Sequence, residues 1–188
     1  VFATAYLNLY MEGALQTNEK AIVHAGASGV GTAAIQLLKQ SGNPVFVTVG
    51  SDEKLRSCVE LGADTGSVRH QGSFAEAATA WAGEQGVDVI LDPVGGLYLA
   101  DNLHVLGLGG RLVLIGLMGG AVTEANLALL MLKRARVIGS TLRARPIGEK
   151  AAVMDALQRN VWPDIERGAI RPIIEAEMPI QQTQDADR

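Results

Sequence analysis

The sequence predicts an α/β fold, a doubly wound parallel sheet of six strands, and three observations lead there. From Lys20 onward, short β-branched runs alternate with longer Ala- and Leu-rich segments, the pattern of strands and crossover helices in a βαβ array. Six such strands with five crossovers make up the two halves of a doubly wound sheet. The composition agrees: 48% of the 188 residues are apolar but only 4% are aromatic, so the apolar content is mostly Ala, Val, Leu and Ile, the residues of strands buried on both faces.

Residues 21–25 read as the first strand, and residues 29–41 as the first helix, apolar at Val30, Ala33, Ala34 and Leu37. A second strand spans 45–49 after the Gly42-Asn43-Pro44 break, and a helix over 52–61 stops at Gly62. A short extended piece at Ser67 and Val68 precedes a helix over about 73–83 and a strand over 87–91. A helix over 96–103, a strand over 110–116, a helix over 124–133 and a sixth strand over 136–139 complete the sheet. One further helix, broken before Pro163, lies within 148–168. Residues 1–19 read as a linking helix, 20–145 as the nucleotide-binding domain, and 146–188 as a C-terminal helix and return segment. Because the helical pattern Phe2, Tyr6, Leu9, Tyr10 begins at once, the expectation is a single domain cut from a longer, two-domain protein.

The net charge of −4 gives no attraction to polyanions, so nucleic acid is not expected as a partner. A single cysteine, Cys58, cannot form a disulfide framework, and no apolar run approaches the roughly 18 residues of a membrane span. The expected setting is the cytoplasm.

The first strand leads into Ala25-Gly26-Ala27-Ser28-Gly29-Val30-Gly31. A dinucleotide site needs a tight turn, close backbone approach to the pyrophosphate, and a helix whose free N–H groups hold the phosphates. Read as G-x-G-x-x-G, the match is Gly26, Ser28 and Gly31, with the middle glycine absent and Gly29 beside the gap. A glycine-rich turn present only for packing is the competing reading. An NAD-preferring site would set Asp or Glu at the end of the second strand to bond the ribose 2′-hydroxyl. Here that end reads Val49-Gly50-Ser51, and Asp52 suits the first turn of the next helix. With Ser51 as N-cap, Lys54 falls at N3, a cation at the positive end of a helix dipole, which a bound anion would reconcile. Arg69 can reach the same place and grip a phosphate at two points. The pattern favours NADPH over NADH; ordinary solvated charges are the alternative.

In the far half of the sheet, Asp92-Pro93-Val94-Gly95-Gly96 and Ile115-Gly116-Leu117-Met118-Gly119-Gly120 follow the fourth and fifth strands. Both loops are expected to flank the nicotinamide, because glycines let backbone approach a flat ring.

These residues resemble the medium-chain dehydrogenase/reductases, specifically the zinc-free quinone oxidoreductase branch that includes zeta-crystallin, and most of all its p53-inducible subgroup. The resemblance is carried by the stretch from His24 to Leu37, by Gly50-Ser51 with Lys54-Leu55, by Leu61-Gly62-Ala63, by Leu91-Asp92 with Val94-Gly95-Gly96, and by Gly109-Gly110-Arg111 leading to the Gly116–Gly120 loop. It implies NADPH-dependent reduction of quinones or other α,β-unsaturated carbonyls by hydride transfer. It further implies that Ala27, Ser28, Gly29, Val30 and Gly31 hold the pyrophosphate; Gly50, Ser51 and Lys54 the adenosine ribose and 2′-phosphate; and Gly95, Gly96, Ile115, Gly116, Leu117 and Met118 the nicotinamide end. Arg69 departs from the Tyr or His usual in relatives and keeps the phosphate preference. An N-terminal catalytic domain supplying much of the substrate pocket, absent here, and a homodimer through the 136–142 edge strand are also implied; the fragment alone is expected to be inactive.

No catalytic acid/base pair is expected: Tyr6, Tyr10 and Tyr98 have no lysine four residues on, and hydride transfer needs mainly orientation. Cys58 and the scattered His24, His70 and His104 give no zinc set, and His24 reads as a satisfied core histidine. Two alternatives stay open: an enoyl reductase module of a polyketide or fatty acid synthase, and a non-catalytic NADPH-binding protein.

Overall fold

The computed structural model describes residues 1–174 and 176–182. Strands β1 (Ala21–Val23), β2 (Val45–Val49), β3 (Thr65–Val68), β4 (Val87–Asp92), β5 (Leu106–Leu114) and β6 (Arg136–Gly139) form one sheet in the order β3-β2-β1-β4-β5-β6. Every neighbouring pair is parallel. The strand order reverses between β1 and β4, which is the doubly wound Rossmann arrangement, and its ligand crevice opens at the carboxyl ends of the strands there.

Alternation along the strands supplies both faces of the sheet. Val23, Val47 and Leu91 pack beneath α1 (Phe2–Tyr6), α2 (Gly29–Gln40), α3 (Asp52–Leu61) and α7 (Ile147–Asn160). Ile22, Phe46, Ile90 and Leu112 face the other way, against α4 (Phe74–Ala82), α5 (Leu99–Val105) and α6 (Leu127–Leu132). Covered on both faces, the central strands β1, β2 and β4 need no polar alternation, which is why they read as largely apolar runs.

Three of the differences from expectation have a local cause. β5 starts at Leu106, four residues early, and a register shift between Val87 and Val89 absorbs the glycines at 107, 109 and 110. α6 starts at Leu127 rather than near Glu124, because the Asn126 side chain caps it by accepting from Ala128 N at 3.0 Å. β1 ends at Val23, since Ala25 already turns the chain with φ of 52°.

The N-terminal helix continues past α1 as a π-helical stretch, Leu7–Glu12. A buried arginine pins the segment between that stretch and β1. Arg111, on β5, meets Glu19 through Nη1 (3.0 Å) and Nη2 (2.5 Å) and donates to the carbonyls of Gly13 and Ala14. Beyond β6, α7 is separated from α8 (Trp162–Glu166) at Val161, the break expected before Pro163. The chain then returns along α2, where Gln36 exchanges two hydrogen bonds with the backbone of Arg171, at 2.9 and 3.0 Å. The end of the expected return segment, residues 183–188, lies outside the described residues.

Candidate functional site

A cleft of about 330 Å³ opens at the carboxyl ends of β1, β2 and β4, beside the amino end of α2. Its floor is the turn between β1 and α2. Ser28 fills the place of the missing glycine as N-cap, its Oγ accepting from Gly31 N at 3.1 Å. The first-turn amides of Gly29 and Val30 stay outside the helix's own ladder. The remaining glycines are explained by packing: a Cβ at Gly26 would come within 2.9 Å of Val47 Cβ, and one at Gly31 would strike the Gly26 carbonyl oxygen. The left-handed backbone of the tight turn falls on Ala25 rather than on a glycine.

The side wall holds the two expected cations. Ser51 caps α3, accepting from Lys54 N at 3.3 Å, which sets Lys54 at the third position of the helix. Arg69, just past β3, lies across Gly50: a Cβ there would meet its Nε and Nη2 at 4.0 Å. Its Nε donates to His70 Nε2 at 3.0 Å. Lys54, Arg69, Gly50, Ala27, Ser28 and Met118 all line the cleft, and none of the described lining residues is acidic.

The other expected residues are placed differently. Pro93–Leu97 and Met118–Gly120 bind each other: Gly96 N donates to Gly120 O at 2.8 Å and Gly119 N to Val94 O at 2.7 Å. A Cβ at Gly95 would meet Leu117 Cδ2 at 2.8 Å, and one at Gly116 would meet Pro93 O at 2.8 Å. Loop-to-loop packing thus accounts for these glycines. Ile115 faces a second cavity, at the carboxyl ends of β5 and β6.

Ala25 and Val94, from the expected turn and loop, also line the cleft, together with Thr48, Val49 and Tyr98, which were not among the expected residues. Thr48 and Val49 could have been found as the last residues of β2, since crevices form at carboxyl ends. Tyr98 lines the cleft from the end of a 3₁₀ turn, Gly96–Tyr98. Burial raises its hydroxyl pKa, with Arg69's charge opposing.

Behind the cleft runs a buried polar chain. His24 Nδ1 meets Thr48 Oγ1 at 3.0 Å and Nε2 meets Asn102 Oδ1 at 2.7 Å, while Asn102 Nδ2 donates to Asp92 Oδ2 at 2.9 Å. Asp92 Oδ1 accepts from the amides of Val94 and Gly95. Because the Asn102 oxygen faces Nε2, that nitrogen carries the proton and Nδ1 accepts from Thr48. Burial holds His24 below its ordinary pKa, against the pull of Asp92. His24 is therefore a satisfied core histidine. With both ring nitrogens taken and Cys58 buried alone, the described residues hold no group of three or more His, Cys, Asp or Glu that fits a metal ion.

The fold recurs in proteins already known. Residues 29–159 match the family model described as zinc-binding dehydrogenase. The human quinone oxidoreductase is 27% identical over 185 residues, covering 98% of this chain and 54% of that protein. The structure of the quinone oxidoreductase from Thermus thermophilus, reported also in its complex with NADPH, superposes with a TM-score of 0.84 at 29% identity, over 98% of this chain and 57% of that one. Highly-reducing polyketide synthase 1 of Aureobasidium melanogenum is 31% identical over 176 residues, 92% of this chain but 8% of that protein. The chain spans about half the length of the quinone oxidoreductases it matches.

Proposed function

The chain belongs to the zinc-binding dehydrogenase family, and on that premise we propose that it is the coenzyme-binding part of an NADPH-dependent reductase of quinones or other α,β-unsaturated carbonyls. One observation carries the reading: Lys54 and Arg69 meet in the cleft at the end of β2, where an NAD site would set a carboxylate. Two cations there suit a ribose bearing a 2′-phosphate. The relatives named quinone oxidoreductase support the substrate class.

When bound, the reduced coenzyme supplies a hydride to the acceptor. This chain's residues bind and orient. Ala27, Ser28, Gly29, Val30 and Gly31 hold the pyrophosphate at the amino end of α2; Gly50, Ser51, Lys54 and Arg69 hold the phosphorylated ribose; Gly95, Gly96, Ile115, Gly116, Leu117 and Met118 form the nicotinamide side. No proton transfer falls to this chain, and no step is routed through zinc, for which these residues do not fit.

In the parent protein, residues 1–19 link to a catalytic domain, 20–145 form the nucleotide domain and 146–188 return. The half-exposed β6 edge pairs with a second copy through residues 136–142, with Met131 and Leu132 exposed beside it. A cytoplasmic location fits the single, buried Cys58. The polyketide synthase match supports a second reading, an enoyl reductase module; the reading frame on either side of the chain separates the two. Titration with NADPH and NADH tests the coenzyme: equal affinities overturn the assignment, and a parent protein that reduces neither quinones nor enones overturns the activity.

A further inference from the structure

At the carboxyl ends of β5 and β6 lies a second cavity, of about 400 Å³, walled by Thr4, Asn8, Ile115, Ser140, Leu142 and Arg143. Asn8 is 2% exposed. Its Nδ2 donates to Thr4 O at 2.7 Å, but its Oδ1, fully buried, has no hydrogen-bond partner among the described residues. A buried amide oxygen without a donor is costly, and native structures avoid it unless something else supplies the donor. The helix is also locally widened here: Gly13 N donates to Asn8 O, five residues back, in the π-helical stretch that presents Asn8, and such stretches recur at functional sites.

The place in the sheet says what the donor is. A doubly wound sheet binds one half of a dinucleotide at each of its two halves. The cleft with Lys54 and Arg69 belongs to the β1–β3 half. The loop after β5 connects the two spaces, with Met118 in that cleft and Ile115 in the second cavity. The second cavity mixes apolar walls with an amide, hydroxyls and the side chain of Arg143, which suits a flat ring carrying an amide. Resting on the coenzyme reading, we infer that Asn8 is a coenzyme-specificity residue whose Oδ1 accepts an N–H of the nicotinamide carboxamide.

The experiment is a binding titration of the full chain with three probes: NADP⁺, its 3-acetylpyridine analogue, which keeps the carbonyl but has no N–H, and 2′-phospho-ADP-ribose, which has no nicotinamide. The wild-type chain is expected to bind NADP⁺ about tenfold more tightly than the acetylpyridine analogue, the worth of one hydrogen bond. Asn8→Ala is expected to bind the two equally, with 2′-phospho-ADP-ribose unchanged. Equal binding of NADP⁺ and the analogue by the wild type overturns the inference even if the variant does not fold, as does a variant that keeps the preference. Wild-type chain that binds 2′-phospho-ADP-ribose as tightly as NADP⁺ overturns it while the coenzyme reading stands; failure to bind any probe overturns both.

Discussion

Arg111 and Glu19, 92 residues apart, form a two-point ion pair, with the arginine side chain 7% and the glutamate side chain 25% exposed. It is the clamp between the N-terminal segment and β5. Replacing Glu19 by Ala leaves the guanidinium buried with only carbonyl partners. A fully buried pair broken this way costs about 3–5 kcal/mol; since Glu19 keeps part of its surface in water, about 2 kcal/mol is expected. Denaturant unfolding measures it, and a change below about 0.5 kcal/mol would contradict the clamp.

The same pair sets a pH dependence. Burial pushes the Glu19 carboxyl up, but the hydrogen bonds from Arg111 and the Gln16 amide, with Arg111's charge, outweigh it, so its pKa lies below the ordinary value of 4.5. A depressed carboxylate stabilises the fold above its unfolded pKa and stops doing so as pH falls through the folded one. Glu19→Gln should flatten the loss of stability below about pH 4.5.

His24 acts at higher pH. Its folded pKa is lowered from 6.5 by burial, so between the two values the unfolded chain binds more protons, and stability rises with pH. Its contribution is complete above 6.5 and declines as pH falls below it. His24→Leu should remove that slope. It should also cost about 2 kcal/mol at pH 8, because the hydroxyl of Thr48 and the oxygen of Asn102 lose their partner. An unchanged slope between about pH 6.5 and 5 would show that the imidazole is not the group responsible.

In the cleft, Lys54→Ala and Arg69→Ala should each weaken NADPH binding by about tenfold or more while leaving NADH nearly unchanged, since each removes the charge-assisted contact proposed for the 2′-phosphate alone. Equal losses for both coenzymes would place these cations on the pyrophosphate instead.

The centre of the sheet was legible in the sequence because both faces of β1, β2 and β4 are buried, so each of these strands announces itself as an apolar run between turns. β5 was misplaced at its start for the opposite reason: Gly107, Gly109 and Gly110 look like a turn, yet the strand passes through them on a register shift. The capped turn between β1 and α2 and the two cations of the cleft could be read locally, from Ser28, Lys54 and Arg69. Asn8, Asn102 and Tyr98 could not. Their roles depend on partners brought in by tertiary folding, as Asn102 to His24 78 residues away, or on a local helix distortion with no sequence signature.

The turn between β1 and α2 divides its demands between two residues, and substitution should separate them. Gly31 is constrained by space: a methyl group would press into the carbonyls of Ala25 and Gly26, so Gly31→Ala must tilt α2 away from β1. A loss of about 1–3 kcal/mol is expected, with weakened NADPH binding as the α2 amides move. Ala25 is constrained by conformation: at φ of 52° it holds a backbone that glycine adopts without cost. Ala25→Gly should stabilise by up to about 1 kcal/mol, the relief of strain being offset in part by the freer unfolded chain. Thermal unfolding of both variants checks the division. If Ala25→Gly instead destabilises by more than about 1 kcal/mol, its methyl group contributes packing that outweighs the strain.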